Sequence, residues 1–328
     1  MSRQLKINPT QPVKLIPVNI AKPWGQEIWF TAIEDRGESQ VLIDGIPVPL
    51  SDYLNGNRHL LTQNTDVLLL KVLDPKPHAI HGDLYFEVHE QKQEVYVVTH
   101  IDRTAWPEGV GAIRLGMRQE KRRHYADDKI FRAAYLKSVN RYEDIRQRID
   151  VHGEHVAPEV EREAREAMND FSAIRSLRVG DVIQVPTWTP HSLLHGVRVV
   201  EFQTPTYERF IISFAQKVTT QSHWDSHHAV ANMHIDAPKK ESFEPITRGV
   251  ERVAKFDDFN VWRVDLDKAK TISLPSHLAY AVCMALADDI CVGNLKLNAE
   301  QACFLPHQSM PTNQLTGSGQ ILIAAPNL

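Results

Sequence analysis

Two stretches decide the fold: Gly82-Asp83-Leu84-Tyr85-Phe86-Glu87-Val88-His89, with Glu94 close behind, and Gly180-Asp181-Val182-Ile183-Gln184-Val185-Pro186-Thr187-Trp188-Thr189-Pro190-His191. In the first, a strand period of two sends Glu87 and His89 to the same face. The polar Glu90–Gln93 has the length of a hairpin loop, which predicts that Glu94 on the next strand swings beside them. In the second, Gly-Asp opens a strand, a proline-rich turn closes it, and His191 follows. Two imidazoles and two carboxylates gathered in this way suit Zn²⁺, Mn²⁺ or Fe²⁺ and leave positions for water or substrate.

Outward from these stretches the chain alternates between strand-rich and helix-rich segments. Val67–Val72 is an apolar run around one lysine, as expected of a buried strand. Val95–Thr99, Val197–Gln203 and Phe210–Phe214 are further strand candidates. Residues 114–178 change character. Asn140 followed by Glu143 predicts a capped helix start, and Ala157-Pro158 opens a second helix with proline in its first turn. After the polar linker Asp236–Glu244, short strands return at Asn260–Leu266, Ala279–Ala285, Cys291–Leu297, Ala302–Leu305 and Gln320–Ala324. Strands, then helices, then strands imply a mainly β architecture with a helical insertion.

Composition narrows the function. The 328 residues are 42% hydrophobic and 24% charged, with a net charge of −4, so attraction to nucleic acid or to an anionic membrane is not expected. The longest apolar run, Leu278–Ala287, is about half of what a membrane span needs. The odd count of three cysteines argues against a secreted disulfide scaffold. Met1–Thr10 is polar, without the apolar core of a signal peptide. The expectation is a cytoplasmic protein. The histidines His223, His227, His228 and His234 are read as loop or short-helix residues, and Cys283, Cys291 and Cys303 as small buried hydrophobes.

Glu-x-His-x4-Glu followed by Gly-x5-Pro-x-Trp-x2-His resembles the two cupin motifs, with Glu87 in place of the first motif's leading histidine and Trp188 in place of the second motif's glycine. Over nearly the whole chain the pattern is similar to the type I phosphomannose isomerase (mannose-6-phosphate isomerase) family. Lys22-Pro23-Trp24-Gly25, Leu68–Asp74, Leu84–His89, Lys92–Tyr96, Gly180–His191, Glu201-Phe202-Gln203 and Tyr207–Arg209 carry the likeness in the family's order. The resemblance implies two cupin-like jelly-roll barrels. Residues 1–113 with 179–235 would form the catalytic barrel, 114–178 the helical insertion, and 236–328 a degenerate C-terminal barrel. It implies a metal held by Glu87, His89, Glu94 and His191, with Lys92 and Arg209 as active-site cations. The cofactor expected is one divalent ion, zinc first, with manganese or iron as alternatives. The partner expected is a small-molecule sugar or sugar phosphate. The implied reaction is the interconversion of mannose 6-phosphate and fructose 6-phosphate, or of a related aldose and ketose. An iron-dependent cupin oxygenase and a non-enzymatic sugar-binding cupin are the competing readings.

The chain departs from that family at telling places. Glu87 stands where the family has glutamine, Tyr85 where it has serine and Glu90 where it has proline. Glu90-Gln91 replaces a long segment between the histidine and the lysine. An added charge about 4 Å from an ion is worth roughly 4 kcal/mol at an effective dielectric near 20. Glu87 should therefore weaken a divalent ion's pull on an enediolate.

Overall fold

The protein is described by a computed structural model over residues 7–269, 271–275 and 277–327. Its strands build two sandwiches packed against each other as successive layers. A five-stranded sheet orders Ser172–Leu177, Gly111–Met117, His191–Leu193, Phe86–Val88 and Phe210–Ser213. Facing it, a six-stranded sheet orders Val182–Val185, Glu94–Ile101, Val197–Gln203, Leu69–Pro75, Gly25–Trp29 and Val18–Lys22. A nine-stranded sheet covers the other side of the six-stranded one, and a four-stranded sheet closes the second sandwich. The mainly β, cupin-like architecture expected from the sequence is what the chain forms.

Alternation explains why the central strands read as continuous apolar runs. Along Glu94–Ile101, Tyr96 and Val98 enter the core of the first barrel, while Val95 and Val97 enter the core between the two large sheets. Along Tyr280–Ala285, Val282 and Met284 face that shared core, and Ala281, Cys283 and Ala285 face the second barrel's interior. Strands buried on both faces need no polar residue at either phase. Where a polar residue does occupy one, it carries information.

Three expectations are corrected. Glu94 does not join Glu87 and His89 through a hairpin, because Phe86–Val88 pairs with the His191 and Phe210 strands, whereas Glu94–Ile101 pairs with Val182–Val185 and Val197–Gln203. Residues 89–93 cross from one wall to the other. The Glu208 carboxylate stabilises this crossing by accepting the Glu90 and Gln91 amides, and the Trp188 amide donates to the His89 carbonyl. The long helix runs Asp128–Asp150 rather than starting near Asn140. Asp127 caps it, its carboxylate accepting the Ile130 amide at 2.8 Å, so Asn140 lies mid-helix. The second helix, Pro158–Asn169, opens on its proline as expected. Finally, Val13–Ile16 and Gln40–Ile43 do not join the first barrel's sheets. They hydrogen bond in the nine-stranded sheet, where Val13 and Lys14 are paired with Phe304 and Cys303.

The helices lie on the outer face of the five-stranded sheet, where Phe131, Tyr135, Val139 and Tyr142 join the first barrel's apolar cluster. Among the described residues no helix is long and apolar enough to cross a membrane. Met1–Lys6 of the N-terminal reading lie outside the described residues.

Candidate metal centre

Each wall of the first barrel contributes one row of inward side chains. On the five-stranded wall Leu115, His191, Glu87 and Ile211 are successive cross-strand partners. His89 follows two residues after Glu87 and shares its face. On the six-stranded wall the row is Ile183, Tyr96, Glu201, Lys71 and Trp29, with Glu94 and Gln203 paired one step along.

The rows meet around two imidazoles. Glu87, His89 and His191 each offer a ligand atom, and those atoms lie within 4.8 Å of one another. Glu94 touches both rings, Oε1 3.6 Å from His89 Nε2 and Oε2 3.1 Å from His191 Nε2. Its oxygens are also engaged by the Lys92 ammonium and by the Tyr96 hydroxyl at 2.6 Å. Three of the four expected ligands thus form a metal-sized group, and the fourth adjoins it while held from behind by a cation and a phenol.

The donors fit a divalent cation. Both ring nitrogens of His89 and Oε2 of Glu87 are buried without a hydrogen-bond partner among the described residues, and Nε2 of His191 meets only the Glu94 carboxylate. A buried polar atom left unpaired costs about 1–3 kcal/mol, and an ion set among Glu87, His89 and His191 would satisfy one atom of each. His191 is aimed by its own turn: Nδ1 lies 3.0 Å from the Thr189 carbonyl, which leaves Nε2 directed inward. Burial, reinforced by the Lys92 charge, holds the His89 imidazole well below its ordinary pKa, in the neutral form a metal requires. Burial opposes the charge on Glu94, but Lys92 and the two imidazoles outweigh it and keep the carboxylate ionised.

Trp188 shows why the cupin pattern has glycine here. Its φ is +57°, in the left-handed region, within the turn that delivers His191. The indole stacks on Phe210 with centroids 5.9 Å apart and planes 5° apart, and His228 packs against both rings.

The metal group opens into a cleft of about 330 Å³ that also reaches Lys22, Arg36, Lys71, Lys92 and Arg209. The Arg209 guanidinium lies 4.3 Å above the Tyr85 ring and donates to Thr220 Oγ1 at 2.8 Å. Tyr85, one of the departures from the family pattern, is therefore the seat of Arg209. Sequence reasoning assigned no role to Lys71 or Glu201. Lys71 Nζ donates to Gln203 at 2.5 Å and stands 3.9 Å from Glu201, whose carboxyl is pushed well above the ordinary range by burial despite that lysine. The signal was available, since a lysine at the inward phase of an otherwise apolar strand is rarely buried without purpose. His223, His227, His228 and His234 are exposed and form no metal-sized group among the described residues.

No protein-family profile and no curated protein matches the sequence. Solved structures do match. A mannose 6-phosphate isomerase from Bacillus subtilis is 16% identical with a TM-score of 0.67, covering 95% of this chain and 99% of that one. A phosphomannose isomerase from Salmonella typhimurium is 14% identical with a TM-score of 0.73, covering 97% and 100%. A zinc-bound mannose 6-phosphate isomerase has the same coverage, a TM-score of 0.73 and 13% identity. The chain shares the phosphomannose isomerase fold over 95–97% of its length, as its motif order led us to expect.

Proposed function

We propose that this protein is a metal-dependent aldose–ketose isomerase acting on a sugar or sugar phosphate related to mannose 6-phosphate. The observation that carries the reading is the group formed by Glu87, His89 and His191, with its unpaired buried donors, at the end of a cation-lined cleft. The shared fold supports it.

Glu87, His89, His191 and Glu94 are the residues that would hold the ion, which when bound would orient the sugar and polarise its oxygens. The chain's own side chains supply the rest. Lys92 is buried against Glu94, and the surrounding glutamates overcome the burial penalty and raise its pKa, so it stays protonated. It therefore acts as a fixed positive charge, not as a base. Arg209, poised on Tyr85 and with no carboxylate in contact among the described residues, is free to face an anionic group. Together the two cations oppose the negative charge that develops on the substrate as a proton moves from C2 to C1.

The test is purified protein loaded separately with zinc, manganese or ferrous ion and given mannose 6-phosphate and a panel of free and phosphorylated aldoses. Ketose formation should occur with at least one pair and vanish on chelation or in His89→Ala. Absence of any ketose across the whole panel, or turnover indifferent to chelation, rejects the proposal. Oxygen consumption with ferrous ion would favour the oxygenase reading instead.

A further inference from the structure

On the far side of the five-stranded sheet from the metal group, one largely buried arginine lies without a carboxylate in contact among the described residues. Arg114, in Gly111–Met117, is the cross-strand partner of Ser192, so it points opposite to His191, toward the helices. Its guanidinium is largely buried. Its one side-chain hydrogen bond among the described residues is a long one, 3.4 Å to Ser172 Oγ. Burial draws its pKa down despite nearby Asp83, whose carboxylate is already held by His195 at 2.6 Å. Arg165, on Pro158–Asn169, comes up beside it. Arg165 Nε is buried and faces a carboxylate out of line for a hydrogen bond. Its carboxylate neighbour is Glu161, one turn earlier, at 3.3 Å. That same Glu161 also accepts the Tyr142 hydroxyl and stands 4.0 Å from Arg146. Arg146 is itself paired with Asp150, so Glu161 answers Arg165, and among the described residues Arg114 has no carboxylate in contact.

Burying a guanidinium without a counter-charge costs more than a fold normally tolerates. Here the two guanidiniums border a cavity of about 600 Å³, which also exposes Asn169 and Ser172. Planar guanidinium forks match the oxygens of phosphate or carboxylate two at a time. We propose that Arg114 and Arg165 form a second anion site, separate from the cleft, which takes a phosphate- or carboxylate-bearing small molecule where the helical insertion meets the barrel. The acids on the cavity rim, Glu120, Glu166 and Asp170, restrict it to compact ligands, and Asp170 is already paired with Arg118 and Lys121.

Crystals soaked in tungstate, a tetrahedral anion with strong anomalous scattering, should show a peak within hydrogen-bond distance of both guanidiniums. Equilibrium dialysis with labelled inorganic phosphate should give a binding event, apart from any in the cleft, that weakens by about tenfold in Arg165→Gln. The variant's metal content and any cleft-bound phosphate should stay unchanged. Competition by mannose 6-phosphate or by citrate then separates phosphate from carboxylate ligands. Tungstate found only in the cleft, or phosphate binding identical in wild type and Arg165→Gln, overturns the proposal. Neither result bears on the isomerase reading.

Discussion

On the proposed reading, Glu87 is the residue that sets the charge of the site. Together with Glu94 it would bring the carboxylate count beside a divalent ion to two, enough to neutralise it, whereas the related pattern carries a neutral amide. Glu87→Gln keeps the shape and removes the charge. It should retain bound metal and convert mannose 6-phosphate at least about tenfold faster than wild type, a modest share of the roughly 4 kcal/mol available at this distance. Metal analysis beside a coupled assay decides it, and loss of metal without gain in rate counts against the charge argument. Glu27 makes a different point. Burial raises its pKa, but Lys71 and Lys22 lower it more, and the Trp29 indole donates to it at 2.6 Å, so the net shift is downward. A carboxylate depressed in the folded state contributes stability above its ordinary pKa of 4.5 and loses it as pH falls through the lower folded value. Glu27→Gln should therefore melt about 2–4 °C lower near neutrality, and the gap to wild type should close as the pH drops below 4.5, as followed by circular dichroism.

At the scale of elements, local signals were legible where they were self-contained. Pro158 announced its helix, and Val197–Gln203 announced its strand by β-branched content alone. Asn140-Glu143 misled because a capping box is a four-residue pattern, and Glu143 spends its carboxylate on the Trp224 amide instead. The candidate ligands were legible as spacing, and three of them come together in the fold. Which wall each ligand comes from was not legible, because a short polar stretch between two strands fits a hairpin as well as a crossing between sheets. Lys71 and Glu201 were given no role because their pairing is a matter of register between strands distant in sequence. Two element-level outcomes follow. Asp127→Ala, which removes the cap of the 23-residue helix, should cost about 1 kcal/mol in denaturant unfolding. At Trp188, both Gly and Ala lose the stack on Phe210, but only Gly relieves the left-handed backbone. Trp188→Gly should therefore be the more stable of the two by about 1 kcal/mol.

At the scale of the whole molecule, the first barrel is not free to stand alone. The outer face of its six-stranded sheet presents Leu70, Val72, Val95, Val97, Val200 and Phe202, all essentially inaccessible because the nine-stranded sheet covers them. Tyr280 fastens the two layers with its hydroxyl, which accepts the Leu68 amide at 2.7 Å and donates to the Asp66 carbonyl at 2.8 Å. The chain also crosses between them early, since Val13–Ile16 is hydrogen bonded beside Ala302–Pro306 before the first barrel begins. Removing residues 236–328 would expose that apolar face and leave Val13–Ile16 without its partner strand. An exposed patch of this kind drives association rather than folding. The fragment 1–235, although it carries every candidate ligand, should be recovered aggregated or dye-binding, without cooperative melting and without stoichiometric metal. The full chain should unfold in one calorimetric transition, with equal van't Hoff and calorimetric enthalpies. A soluble, metal-loaded fragment with its own sharp transition would show instead that the shared core is a docking surface between independent domains.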